Sequence, residues 1–126
     1  MLIDDDEDDH ELFKMALEEV DASIRCETAV NGQEALDMLK NKDVSPDYIF
    51  LDLNMPLMGG KDCLGILKSD AELSHIPVII FTTSSDPKDK AETAGLCAID
   101  FITKPAKISE LVTLLHTFTS RIQSTN

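Results

Sequence analysis

The stretch Tyr48-Ile49-Phe50-Leu51-Asp52-Leu53 is apolar at every position except Asp52. A strand covered by helices on both faces reads this way, whereas a strand with one wet face alternates apolar and polar residues. The run therefore predicts a parallel sheet. Pro77-Val78-Ile79-Ile80-Phe81-Thr82 repeats the pattern downstream. Around these two runs, amphipathic stretches alternate with short apolar ones. Met1 to Ile3 predicts a short first strand. Leu12, Phe13, Ala16, Leu17 and Val20 recur at helical spacing, with Asp8 and Asp9 placed to favour the positive end of that helix. Ile24, Cys26, Thr28 and Val30 alternate as in a strand, and Asn31-Gly32 opens a helix carrying Ala35, Leu36 and Leu39. Cys63, Leu64, Ile66 and Leu67 mark a third helix. Asp86-Pro87 starts a fourth, which Gly95 ends; Ala98 to Ile102 forms the fifth strand, and Ile108, Leu111, Val112, Leu115 and Phe118 stripe a last helix. The order is βα repeated along the whole chain. Right-handed crossovers turn that order into an open α/β sheet, doubly wound with helices on both faces.

The chain has 126 residues, of which 43% are hydrophobic, enough for one core and one domain over residues 1–126, with no effector domain expected. The formal net charge of −13 disfavours nucleic-acid phosphates and anionic membrane surfaces as partners. No apolar run approaches the roughly 20 residues of a membrane span, and Met1-Leu2-Ile3 passes straight into acids rather than into a secretory leader. Cys26, Cys63 and Cys97 are an odd set without paired spacing, read as small buried hydrophobes in a reducing, cytoplasmic compartment.

In a doubly wound sheet, chemistry gathers beyond the carboxyl ends of the strands. The predicted strands end in Asp4-Asp5, Asp52, Thr82-Thr83 and Lys104-Pro105. Carboxylates that converge repel one another unless a cation joins them, and an all-oxygen set suits Mg²⁺. Lys104 adds a point charge and Thr82 a hydroxyl. The combination describes a site for a phosphoryl group, with Asp52, rigidly held by a buried strand, as the nucleophile. His10, His75 and His116 are scattered and read as structural or exposed.

Four runs in order resemble the receiver domain of two-component response regulators: Leu2-Ile3-Asp4-Asp5; Phe50-Leu51-Asp52-Leu53-Asn54-Met55-Pro56 with Gly59-Gly60; Pro77 to Thr82; and Phe101-Ile102-Thr103-Lys104-Pro105. His75-Ile76-Pro77 and Thr82-Thr83-Ser84-Ser85 look most like single-domain regulators partnered with phytochromes. The resemblance implies a flavodoxin-like strand order 2-1-3-4-5 with five helices. It implies Asp52 as phosphoacceptor from a sensor histidine kinase or histidine phosphotransfer protein. Asp5 matches the direct Mg²⁺ ligand, Asp4 the neighbour that holds the metal through water, and Asn54 the residue whose carbonyl completes the protein ligands. Thr82 and Lys104 match the groups that grip the phosphate, and Phe101 the aromatic that turns inward on activation. Pro105 is expected after a cis peptide bond. The chain then acts as a phosphoacceptor switch rather than an enzyme on other substrates, its output a downstream target protein or phosphotransferase.

Thr83, Ala106 and Cys97-Ala98 depart from the family pattern, Cys97 standing where Gly is common. A phosphatase of haloacid-dehalogenase type shares the aspartate nucleophile but needs an acid two residues later, where this chain has Asn54. A flavin carrier needs a hydroxyl- and glycine-rich phosphate loop after the first strand, where this chain has a string of acids.

Overall fold

The computed structural model describes residues 1–124. The strands are β1 (Leu2–Ile3), β2 (Thr28–Ala29), β3 (Ile49–Leu51), β4 (Val78–Thr82) and β5 (Asp100–Thr103). The helices are α1 (Glu7–Val20), α2 (Gly32–Lys40), α3 (Gly60–Ser69), α4 (Pro87–Gly95) and α5 (Ile108–Ser124). All pairings are parallel and the order is β2-β1-β3-β4-β5, as expected for the flavodoxin-like arrangement.

The continuous apolar runs have the predicted cause. Alternate residues of one strand enter different cores. Ile49, Leu51, Val78 and Ile80 pack with Ile3, Leu36, Leu39, Leu64 and Leu67 under α2 and α3. Phe50, Ile79 and Phe81 join Leu2, Phe13, Leu17, Leu111, Leu115 and Phe118 under α1 and α5. The second core is aromatic at its centre: Phe13 meets Phe50 edge-on at 5.0 Å and Phe81 at 5.5 Å between centroids.

Helix starts follow side-chain chemistry. Asn31 accepts from the Glu34 N–H at 2.7 Å, and Asp86 accepts from the Lys88 N–H at 2.9 Å with Pro87 in the first turn. For α1 the cap is Asp6, which accepts from the Asp8 N–H at 2.9 Å.

Three expectations need correction. The alternation from Ile24 to Val30 yields only Thr28–Ala29 as strand, because an edge strand is ladder-paired only as far as its two-residue neighbour β1 extends. Gly95 is the last residue of α4, as expected, and the left-handed residue beyond it is Cys97, at φ 71°. The Cys97 N–H bonds the Ala94 carbonyl at 3.0 Å and the Ala98 N–H bonds that of Thr93 at 3.0 Å, a Schellman turn. That turn leaves Cys97 exposed, which corrects the expectation that all three cysteines are buried hydrophobes: Cys63 is buried and Cys26 half-buried. Finally, the Lys104–Pro105 peptide is trans, as are all described peptide bonds. Trans is the lower-energy form for X–Pro, and the Lys104 ammonium reaches the carboxylates without the sharper turn.

Candidate functional site

Register brings the acids together. Ile3 pairs with Leu51, so Asp4 and Asp52 are the next residues of adjacent strands. The ladder continues through them: the Asp52 N–H bonds the Ile3 carbonyl and the Asp4 N–H bonds that of Ala29, both at 3.0 Å. Ligand atoms of Asp4, Asp5 and Asp52 lie within 4.8 Å of one another. Asp4 and Asp52 are buried and Asp5 is exposed, so the cluster opens to solvent on the Asp5 side.

Lys104 crosses from the end of β5 to this cluster. Its backbone N–H bonds the Thr82 carbonyl at 2.7 Å, which ties it to the end of β4. Its Nζ donates to Asp4 Oδ2 at 2.8 Å, to Asp9 Oδ2 at 2.7 Å and to Asp52 Oδ2 at 3.3 Å. The ammonium also lies 5.7 Å from the Phe81 ring centroid, over the aromatic core. Burial pulls the Lys104 pKa down, but its hydrogen bonds to Asp4 and Asp9 and the charges of Asp52 and Asp4 more than offset it, so the group is held cationic. Burial of Asp4 pushes its pKa up to about 6, and the neighbouring Asp52 charge adds to this against the Lys104 and Asp6 hydrogen bonds. One lysine does not neutralise the site. The remaining negative charge and the all-oxygen donor set fit a hard divalent cation.

Thr82 is fully buried at the end of β4, one register step beyond the level of Asp52. Its hydroxyl oxygen accepts a long bond, 3.4 Å, from the Ser84 N–H. Phe101 sits opposite Ile80 and is half-buried, packed against the core under α2 and α3. Asn54 is exposed, its N–H 3.4 Å from Asp52 Oδ1. Pro105 is half-buried after the trans bond and takes no polar part.

Two residues have roles that the sequence does not assign to them. Asp9 was assigned to the solvated first turn of α1, yet it makes the shortest bond to Lys104. Successive helical residues are rotated by about 100°, and it is Asp9, half-buried, that faces Lys104, whereas Asp8 is exposed. Gly60 is the second. A Cβ there would lie 2.2 Å from the Asp52 carbonyl oxygen and 2.6 Å from the Leu53 Cα, so α3 can start against the end of β3 only with glycine at this position. Of the histidines, His10 is buried with Nε2 2.5 Å from the Asp4 carbonyl, a structural role, while His75 and His116 are exposed.

The doubly wound parallel sheet in this strand order is of the flavodoxin-like class, here with three acids and a lysine at its carboxyl edge. Residues 1–116 match the family model for the response regulator receiver domain, and the chain belongs to that family. Among solved structures, it superposes on the phosphorylated cyanobacterial phytochrome response regulator RcpA with a TM-score of 0.89 and 31% identity, over 99% of this chain and 93% of that one. The Mn²⁺-bound response regulator Rcp1 gives 0.80 and 26% identity, over 94% and 89%. Among curated proteins, a probable cyclic di-GMP phosphodiesterase of Vibrio cholerae is 31% identical over 117 residues, 93% of this chain. The chain spans about a quarter (25%) of that relative's length. Among the described residues, no helix is long and apolar enough to cross a membrane.

Proposed function

We propose that this chain is a phosphorylation switch in which Asp52 accepts a phosphoryl group from a phosphohistidine. The single observation that carries this reading is the convergence of Asp4, Asp5, Asp52 and Lys104 at one edge of the sheet, with a buried, rigid backbone behind Asp52. Asp4, Asp5 and Asp52, with the Asn54 carbonyl, would hold Mg²⁺. When bound, the ion supplies positive charge to the transferring oxygens and screens Asp52 from its neighbours. A carboxylate oxygen of Asp52 attacks phosphorus; the new O–P bond forms as the P–N bond of the donor breaks, its electron pair leaving on the imidazole.

Lys104 then bonds a phosphoryl oxygen, and Thr82 donates its hydroxyl to another. Thr82 is suited to move, since among the described residues its hydroxyl oxygen is held by the long contact from the Ser84 N–H. The space it leaves admits the half-buried Phe101 on the neighbouring strand, and the surface of α4, β5 and α5 changes with it. A swing from 1:99 to 99:1 between two such states requires about 5.5 kcal/mol of differential interaction. A charge-assisted contact to Lys104 plus a hydroxyl bond contribute a large share of that. We place the donor as a sensor histidine kinase or histidine phosphotransfer protein, the output as contact with a target protein or phosphotransferase, and the chain in the cytoplasm. The three unpaired thiols support that compartment.

Incubation with Mg²⁺ and acetyl phosphate, followed by intact mass, tests the reading. One phosphoryl adduct is expected on the wild type and none on Asp52→Asn or on wild type with excess chelator. An equal adduct on Asp52→Asn contradicts it.

A further inference from the structure

The ammonium of Lys104 has three N–H donors, and three carboxylates take them. The two short bonds go to Asp4 and Asp9, while Asp52, the acceptor proposed above, receives the longest. Asp9 belongs to no metal-ligand set, and its carboxylate atoms are not among those that converge with Asp4, Asp5 and Asp52. Its neighbours Glu7 and Asp8, equally placed to complement the helix dipole, are exposed, whereas Asp9 turns inward to the lysine. The side chains of Lys104 and Asp9 are 11% and 27% exposed, so the pair is only partly screened by solvent.

We propose that Asp9 is a positioning residue for transfer at Asp52: its carboxylate holds the Lys104 ammonium toward α1, and the arriving phosphoryl group takes the lysine in competition with it. This rests on the reading of Asp52 as acceptor. Lys104 stays protonated throughout and changes only its hydrogen-bond partners, so no proton is gained or lost in the exchange. Asp9 thereby sets how readily the lysine is released to the phosphoryl oxygens, and it makes the first turn of α1 a participant in the switch.

The test compares wild type, Asp9→Asn and Asp9→Glu, each also in a Lys104→Ala background. The readout is the rate of adduct formation with acetyl phosphate at saturating Mg²⁺. Neutralising Asp9 frees the lysine and is expected to raise the rate about three- to tenfold, the worth of one partly exposed charge-assisted hydrogen bond. Asp9→Glu restores the wild-type rate. Without Lys104 the effect of Asp9→Asn disappears, as a double-mutant cycle requires for a direct coupling. An acceleration that survives intact in Lys104→Ala means that Asp9 acts only by repelling the anionic donor, and overturns the proposal. So does an unchanged or lower rate in Asp9→Asn on a wild type that phosphorylates normally. A wild type that takes no phosphoryl group removes the reading of Asp52 itself, and the proposal with it. A further readout is independent of transfer: the ¹⁵N signal of the Lys104 ammonium shifts in Asp9→Asn, and an unmoved signal contradicts the pairing.

Discussion

Asp4 is the carboxylate whose surroundings oppose its charge most, since it is fully buried and faces Asp52 as well as Lys104. Its pKa rises from 3.8 to about 6 on folding. Between these values the folded protein keeps a proton that the unfolded chain has released, so the contribution of this group to stability falls as pH rises through the window. In metal-free protein, Asp4→Asn is therefore expected to gain stability relative to wild type from about pH 4 to pH 6 and to hold that gain above it. Urea unfolding of both proteins across this range checks the sign; a gap that narrows with pH contradicts it. Cys97 gives a second prediction at this scale. Its left-handed backbone, φ 71°, costs an L-residue about 1 kcal/mol that glycine does not pay. Cys97→Gly should raise the melting temperature by a few degrees, and a lower value removes the strain argument.

At the scale of elements, the placement of α3 against β3 is the tightest constraint. Gly60→Ala puts a methyl group into the backbone of Asp52 and Leu53, where nothing flexible can yield. We expect a loss of more than about 2 kcal/mol in thermal unfolding, together with impaired adduct formation, because the same backbone carries Asp52, the proposed acceptor. Helix α4 is the opposite case. It buries only Thr93, and it is tied to its surroundings by polar contacts: Lys61 of α3 to Asp89 at 2.7 Å and to Glu92 at 2.5 Å, and the Ser84 hydroxyl to Asp89 at 2.6 Å. Amide exchange in α4 should be faster than in α3, which buries Cys63, Leu64 and Leu67, and Lys61→Met should accelerate it further without touching α3. Equal protection of the two helices contradicts this. These elements also show what the residues reveal by themselves. The buried strands and the caps at Asn31 and Asp86 were legible because each depends on neighbours in the chain. The length of β2 depended on β1, the geometry after α4 on a turn that glycine normally fills, and the inward turn of Asp9 on where Lys104 lands. None of those is a local property.

At the scale of the molecule, two cores pack against opposite faces of the sheet, and the site lies at the carboxyl edge between them, with Lys104 resting against Phe81 of one core. The acids and the lysine were legible as a set because parallel strands with right-handed crossovers must deliver their carboxyl ends to one edge. The partition of the lysine among three carboxylates was not, since it is decided by side-chain distances of a few tenths of an ångström. The formal charge of −13 becomes specific in this light. What matters chemically is that Asp4, Asp5 and Asp52 share one volume, with Lys104 as their counter-charge. The central claim is that the phosphoryl group goes to one carboxylate of that volume. Borohydride converts an aspartyl phosphate to homoserine, so reduction of the protein after treatment with acetyl phosphate and Mg²⁺, followed by peptide mass mapping, locates the acceptor. Homoserine at position 52 alone is the predicted result; homoserine at Asp4 or Asp5, or none at position 52 in protein that carries the adduct, contradicts it.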